Sequence, residues 1–488
     1  MISPPALIDT PLHELSATEI ADAVRAGRLR AVDVLDHHLR RIEERNGELG
    51  AMVHVDPDRA WAVAARVDQQ VEYGADPGPL AGVPLGIKEL EAVEGWPATQ
   101  ASTFYRDVVS PATGVHPGRL LAAGAVPVGQ TASPEIGMLG HTVSVLHGTC
   151  RNPWNPQRTP GGSSGGSASA VAGGLVALAS GSDLGGSVRV PAAACGLVGI
   201  KPTYGLVARG PGWLGNLHAA HYGPLARTVR DAARYLDVVV GPDDRDPFSL
   251  PAPPYRFEEI LEDTDLSGMR VAVCLDTGLV SADPRVAEII RDASKKLIEA
   301  CGAVAVDVSL DLPEVRPLFG LLVIDQLPDP TDGAMLEAVL DNFRHTPAAE
   351  EIVAILEGVQ EGPTADKIAA GNAARQALRE HLLQVFDQAD LLLTPTIPIP
   401  AYGAEGPVPD VPGSQVGQHA WAGFTYPFNF SGHPAASVPA GFVEDLPVGL
   451  QLVGRRLDDQ RVLATAARWE AIAPWPRNAP DHPGEATA

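Results

Sequence analysis

Basic residues are scarce in this 488-residue chain: 36 Lys and Arg stand against 60 Asp and Glu, a formal net charge of −24 with a pI near 4.9. A body this acidic repels phosphate backbones and anionic headgroups, so neither nucleic acid nor a membrane surface is an expected partner. Cysteine is almost absent. Cys150, Cys195, Cys274 and Cys301 are too few and too scattered for a disulfide framework or a zinc site, and none of the 14 histidines falls in an HExxH pattern. No metal and no cofactor is therefore expected. No stretch approaches 18 uninterrupted apolar residues, which excludes a helical membrane span. The opening "MISPPALIDTPLHEL" has no basic region followed by an apolar run, so no signal peptide is expected and the cytoplasm is the default location. GxxxxGK[ST] occurs nowhere, which argues against a P-loop, and no period of 20 to 50 residues recurs, which argues against a solenoid.

What is present is an ordinary soluble composition, 45% hydrophobic and 20% charged, in a chain long enough for a large buried core. "SATEIADAVRAGRLRAVDVLDHHLRRIEERN" reads as two amphipathic helices, with Ser16 as N-cap and with His37 and His38 expected at the surface. From about Pro79 to Val240, short apolar runs alternate with Gly-, Ser- and Ala-rich turns and helical patterns, the texture of an α/β core. "MRVAVCLD" reads as a strand and "DPRVAEIIRDASKKLIEACG" as a helix ending before Gly302; residues 330–390 read as mostly helical. "ADLLLTPTIPIP", "PAASVPAGF" and "PVGLQLVGR" read as buried strands, and the Pro-rich end from about Pro474 as a frayed tail.

Three segments carry candidate chemistry. In "GVPLGIKEL", Lys88 follows an apolar strand; it is either a snorkelling surface residue or a buried amine whose lowered pKa makes it a base. "TPGGSSGGSASA" matches G-x-S-x-G with Ser164 in the nucleophile position, but the three prolines in the preceding "RNPWNPQRTP" are incompatible with the central strand that a nucleophile elbow needs. In "SGSDLGGSVRVP", Asp183 turns the chain after a strand, and the glycines lead into a helix. That arrangement puts the N–H groups of Leu184, Gly185 and Gly186 beside the Ser187 hydroxyl, an array suited to an oxyanion. No histidine lies between Gly148 and Leu217, so a neighbouring Ser-His pair cannot be assumed. Cys195, in "AAACGLVG", reads as a small buried hydrophobe and not as a nucleophile.

"GGSSGGSASAVAGGLVALASGSDLGGSVRVPAAACGLVGIKPTYG" resembles the amidase signature, and "GVPLGIKEL" resembles that family's catalytic-lysine segment. "NPWNP", "GPLART", "LLLTPT" and "GLQLVGR" also fit, so the resemblance spans about residues 12 to 470. It implies an α/β fold with a mixed central β-sheet flanked by helices on both sides. The organisation expected is one catalytic domain over 1–474, with N-terminal helices in 12–70, a signature core in 79–240, a mainly helical region in 241–390 and C-terminal core strands and a helix in 391–470. A flexible tail, 475–488, would follow. Residue by residue, the resemblance makes Ser187 the nucleophile, Ser163 the bridging serine on a cis peptide bond, and Lys88 the base. Leu184, Gly185 and Gly186 would form the oxyanion hole, with Asp183, Arg189 and Ser164 in supporting places. A free lysine has a pKa of about 10.4, so burial must bring Lys88 to roughly 7 for this role.

Two positions depart from the usual family pattern: Glu89 stands where an aspartate commonly follows the lysine, and "QTASPE" where "KTNMPE" is more typical. The family includes fatty acid amide hydrolases, aryl acylamidases, urethanase-like enzymes and the A subunit of tRNA-dependent amidotransferases. The region "EGPTADKIAAGNAARQALREHL" lacks the Gly-Tyr-Tyr-Asp-like segment of the last. Trp213, Leu214 and Tyr222, in "GPGWLGNLHAAHYGPLA", suggest an apolar acyl or aryl pocket. The expected activity is hydrolysis of small apolar or aryl amides, and of carbamates by the same relay, by a monomer or homodimer. The alternatives are the A subunit of an amidotransferase, or else a non-catalytic binding protein of this fold.

Overall fold

The computed structural model of the chain describes residues 10–210, 219–313, 332–359, 365–411, 413–414 and 417–481, together with Leu318, Leu327 and Asp329. The N-terminal part comprises α1 (Ala17–Arg25), α2 (Ala31–Leu49), β1 (Met52–Val55) and α3 (Pro57–Glu72). Ser16 starts α1 through a reciprocal cap: its hydroxyl accepts the Glu19 N–H at 3.2 Å, and the Glu19 carboxylate accepts the Ser16 N–H at 2.8 Å. His38 is fully buried, contrary to the surface position expected, because it lies on the face of α2 that carries Val34, Leu35 and Ile42 into the core; its Nδ1 meets the Leu175 carbonyl at 3.2 Å.

The signature region supplies β2 (Pro84–Lys88), α4 (Val115–Ala122), β3 (Val126–Thr131), β4 (Val143–Ser144), β5 (Gly148–Thr149), α5 (Gly165–Ala172), β6 (Leu178–Asp183), α6 (Arg189–Cys195), β7 (Val198–Lys201), β8 (His221–Ala226) and α7 (Val229–Val239). Beyond it come β9 (Arg270–Val273), α8 (Pro284–Ala300) and β10 (Val304–Val306), then helices Gly333–Arg344, Glu350–Val359 and Ala365–Gln388. β11 (Leu391–Pro395), β12 (Ala435–Val443), β13 (Leu446–Gly454) and a helix over Asp459–Ile472 complete the order.

Eleven strands form one mixed sheet in the order β1-β3-β2-β6-β8-β7-β12-β13-β11-β9-β10, flanked by helices. β3, β2 and β6 run parallel, and β6 meets β8 antiparallel. The parallel trio reads as near-continuous apolar or small residues because both faces are covered. Lys88 closes β2 and Asp183 closes β6. These two strands therefore deliver a lysine and an aspartate to the same carboxyl edge of the sheet, where open α/β sheets place their ligands. No helix among the described residues is long and apolar enough to cross a membrane.

The segment 475–481, expected to be frayed, is docked instead. Trp475 Nε1 donates to the Arg227 carbonyl at 3.0 Å, the Ala479 N–H to Ala172 O at 2.8 Å, and Asp481 accepts from both Arg41 and Arg45. Its prolines end the last helix without freeing the chain, since buried partners await it; residues 482–488 lie outside the described residues.

Gly223 shows how tightly the centre of the sheet is drawn together: a Cβ built there would collide with the Ile200 carbonyl of β7. Backbone cannot yield as a flexible side chain does, so Gly223→Ala should destabilise the fold by about 3 kcal/mol, read by urea denaturation.

Candidate active site

Lys88 is fully buried, and its Nζ donates to Ser163 Oγ at 2.8 Å and to Ser182 Oγ at 3.0 Å. The snorkelling alternative does not hold. Burial is the main cause that lowers the Lys88 pKa to about 7, against the opposing pull of Glu91, Asp183 and Glu89. Ser182 lies two residues after Ser180 on β6, so both hydroxyls face the same side of the strand, towards the end of β2. Ser180 Oγ accepts the Lys88 backbone N–H at 3.0 Å.

Ser163 follows a cis peptide bond from Gly162 and lies just before α5. The chain from Ile136 to His141 runs against it: a Cβ on Gly162 would meet the Leu139 carbonyl, and one on Gly137 would approach Ser163 Oγ. The N–H of Ser164 donates to the Ser187 carbonyl at 3.2 Å, which joins the two serine-bearing loops. The Ser164 hydroxyl points elsewhere, to the Ser182 carbonyl at 3.4 Å.

The loop that carries Ser187 is organised by a buried carboxylate. Asp183 Oδ1 accepts from the Gly186 N–H at 2.7 Å and from Asn429 Nδ2 at 2.8 Å, while Oδ2 accepts from the Val188 N–H at 3.1 Å. Arg189 closes a two-pronged ion pair on the same carboxylate, Nε to Oδ2 at 3.0 Å and Nη2 to Oδ1 at 2.9 Å. Arg189 is fully buried and continues to Thr425 O, Gln451 Oε1 and Asn429 Oδ1. A surface ion-pair role for it is thereby excluded. Burial alone would raise the Asp183 carboxyl; Arg189 and Asn429 outweigh it and hold the group well below the usual carboxylate range.

This arrangement corrects the expected set of free donors. The Gly186 N–H is spent on Asp183. Among the described residues, the N–H groups of Leu184, Gly185 and Ser187 have no protein partner. Gly186 itself sits at φ 133, where glycine is favoured, and a Cβ there would strike the Thr425 hydroxyl. Thr425 Oγ1 in turn donates to Gly185 O at 2.6 Å, so the peptide plane between Gly185 and Gly186 is fixed from behind.

Of the aromatic and apolar residues expected around a pocket, Trp213 and Leu214 lie outside the described residues. Tyr222 does not form an open wall: it is buried on β8, its ring stacked on His116 with centroids 4.6 Å apart. The loop before Ser163 carries apolar surface that sequence reading did not single out. Met138 and Leu139 line a small cavity with Gly140, Ile352, Val408 and Trp421, and Trp421 lies directly over Gly140. Cys195 is buried and its thiol is pushed well above its ordinary range by desolvation, as an inert core residue requires.

Sequence reading also missed Ser180, Ser182, Thr425, Asn429 and Gln451. The period-2 serines of "SGSD" were the available signal for the first two. The other three come from 240 or more residues away along the chain, and no local pattern marks them. Glu89, whose role was open, is buried and accepts from the Ser133 N–H at 2.7 Å, with Thr99 Oγ1 at 3.1 Å and His147 Nε2 at 2.9 Å on its other oxygen. It ties the start of the Ser163-facing loop to the lysine strand.

The profile of the family described as Amidase matches residues 33–463. The chain belongs to the amidase signature family. Amidase-signature relatives include an acylamidase from Rhodococcus erythropolis, 33% identical over 95% of this chain and 96% of that protein. The A subunit of the glutamyl-tRNA(Gln) amidotransferase from Chloroflexus aurantiacus is 34% identical over 96% of this chain and 98% of its own length. Among solved structures, a bacterial aryl acylamidase of the amidase signature family superposes with a TM-score of 0.84 at 30% identity, covering 96% of this chain and 98% of that one. A 6-aminohexanoate cyclic dimer hydrolase complexed with substrate gives 0.81 at 29%, covering 96% and 99%.

Removing the guanidinium from this amidase-signature core leaves Asp183 buried and unpaired. Arg189→Met should cost about 3–5 kcal/mol at neutral pH. The wild-type contribution of Asp183 is present above the usual carboxylate range and fades as pH falls through its depressed folded value. In the variant, burial favours the protonated acid, so the stability gap should narrow towards acid; urea denaturation at neutral and mildly acidic pH measures both.

Proposed function

We propose that this amidase-signature enzyme hydrolyses small uncharged amides, aryl amides foremost and aryl carbamates by the same relay, through a Ser187–Ser163–Lys88 acyl-enzyme cycle. The observation that carries the reading is the buried Lys88 Nζ at 2.8 Å from Ser163 Oγ, with its pKa brought to about 7. An amine held there is substantially neutral at physiological pH and still basic enough to take a proton. In the cycle, Ser187 Oγ attacks the carbonyl carbon while its proton passes to Ser163 and the Ser163 proton to Lys88. The oxyanion is received by the N–H groups of Leu184, Gly185 and Ser187. The proton returns through Ser163 to the leaving nitrogen, which departs as a neutral amine, and water then cleaves the acyl-enzyme by the same route.

The preference for an uncharged substrate rests on the surroundings of the Ser163-facing loop. Met138, Leu139, Ile352, Val408 and Trp421 line a cavity of about 30 Å³ there. It is smaller than an aryl ring, so these walls support the reading by their apolar character and not as the seat of the ring. Among the described lining residues the charged one is an acid, Glu351. A zwitterion such as glutamine needs fixed ionic partners on entry, whereas an apolar ring gains from leaving water. The kinship with acylamidases fits this reading. The kinship with the amidotransferase relatives supports a second one, in which the same relay releases ammonia from glutamine for transfer.

Ser163→Ala should lower kcat by orders of magnitude and Ser164→Ala much less, and a serine-reactive phosphonate should label Ser187; an adduct on Ser164 would overturn the relay. Activity should rise with pH along a limb centred near 7 as Lys88 loses its proton, and Lys88→Met should abolish amide cleavage. For an aryl amide, kcat/KM should exceed that for glutamine by at least about 100-fold, roughly 2.7 kcal/mol of discrimination. Comparable glutamine turnover, or ammonia transfer to an aminoacyl-tRNA partner, would establish the second reading instead.

A further inference from the structure

Behind Lys88 lies a buried polar chain that the relay does not use. Glu91 is buried three residues past the end of β2, and its N–H donates to the Lys88 carbonyl at 2.9 Å. Its Oε1 accepts from Ser180 Oγ at 2.6 Å, the same hydroxyl that accepts the Lys88 N–H. Its Oε2 meets His116 Nδ1 at 2.5 Å, and His116 Nε2 meets the Tyr235 hydroxyl at 2.6 Å. One neutral tautomer satisfies both ends: Nδ1–H donates to the carboxylate and Nε2 accepts from the phenol.

Three carboxylates act on the Lys88 amine, and they differ in how their charge is met. Asp183, from β6, is paired with Arg189 at 2.9 Å. Glu89 is divided among Ser133, Thr99 and His147. Glu91 receives a hydroxyl and an imidazole N–H. The elements packed on it add Tyr222 from β8 and Tyr235 from α7; Arg209, a cation that acts on the same Tyr222, is paired with Asp246 at 3.1 Å. Lys201 and His221 act on the Asp183 side. With His116 in that neutral tautomer, the Glu91 charge is not cancelled and keeps its field in a dry interior, which water would otherwise screen.

We propose that Glu91, fixed by Ser180 and by the His116–Tyr235 pair, is a positioning residue whose buried negative charge keeps the Lys88 amine basic enough to serve the serine relay. Burial alone would make the amine easy to deprotonate and correspondingly poor at accepting a proton from Ser163. The carboxylate opposes that drift, so the base stays matched to neutral pH. The proposal rests on Lys88 being the base of the relay.

The test is the pH dependence of the rate at which a serine-reactive phosphonate labels Ser187 in the intact chain, with kcat/KM for an aryl amide in parallel. Glu91→Gln keeps the shape and removes the charge; a neutral amide can re-pair with Ser180 and the other His116 tautomer. Its acid limb should move about one pH unit lower. One unit below the wild-type midpoint it would then retain about half of its own plateau, where wild type retains about a tenth, a roughly fivefold relative gain. Glu91→Asp, which keeps the charge, should hold the limb near the wild-type position. An unmoved limb with a lower plateau would make Glu91 merely structural and overturn the proposal. So would failure of both Glu91→Gln and Glu91→Met to fold while Glu91→Asp folds. Should Lys88→Met keep the wild-type limb, the relay reading itself fails, an outcome distinct from any given by the Glu91 variants.

Discussion

The contact on which the site depends is the buried ion pair between Asp183 and Arg189. A lone carboxylate in this interior would be protonated or would unfold the loop. Paired with a guanidinium in a two-pronged geometry, it stays charged and becomes a fixed point for backbone donors on both sides of Ser187. The Gly186 and Val188 N–H groups turn inward to it, while those of Leu184, Gly185 and Ser187 are left without a protein partner among the described residues. Thr425, Asn429 and Gln451 carry the same brace into the C-terminal strands. The halves of the sheet on either side of β7 and β12 are thereby committed to one loop geometry.

Lys88 reverses that logic. Its amine has hydroxyl partners within hydrogen-bond reach and no ion-pair partner among the described residues, and the balance between burial and three nearby carboxylates decides its protonation. A cation held by a direct salt bridge would be stable and useless as a base. A fully isolated amine would be neutral but too weak. The structure sits between these limits because no carboxylate is in direct contact with Nζ among the described residues; Glu91 meets the lysine strand through Ser180, which accepts the Lys88 backbone N–H.

Much of this was legible in the sequence. The apolar runs that end in Lys88 and Asp183 read as buried strands, and the glycines after Asp183 announced a backbone that must come close to something. Ser16 with Glu19 announced a helix start. What could not be read is long-range. His38 was placed at the surface because a histidine pair in an amphipathic helix gives no sign of which member turns inward. The Gly186 N–H was counted as free because its acceptor belongs to a residue that looked like a simple turn former. The C-terminal segment looked frayed because prolines advertise the end of a helix and say nothing about the arginines waiting on α2. The partners of Arg189 lie far along the chain, where only the folded sheet brings them together.

The loop Ile136–His141 has one side against Ser163 and the other within an apolar cluster formed with the helices Gly333–Arg344 and Glu350–Val359. Those helices set the seat of the loop that runs against Ser163. Substitutions in this layer can therefore drift and still be felt at the serine, whereas the ion-paired loop on the opposite side tolerates almost none. The fold thus divides labour between an ion-paired centre and an apolar bed beneath the loop. Its evolutionary history should be written in the helices, as epistasis between distant apolar positions, and not in the serines.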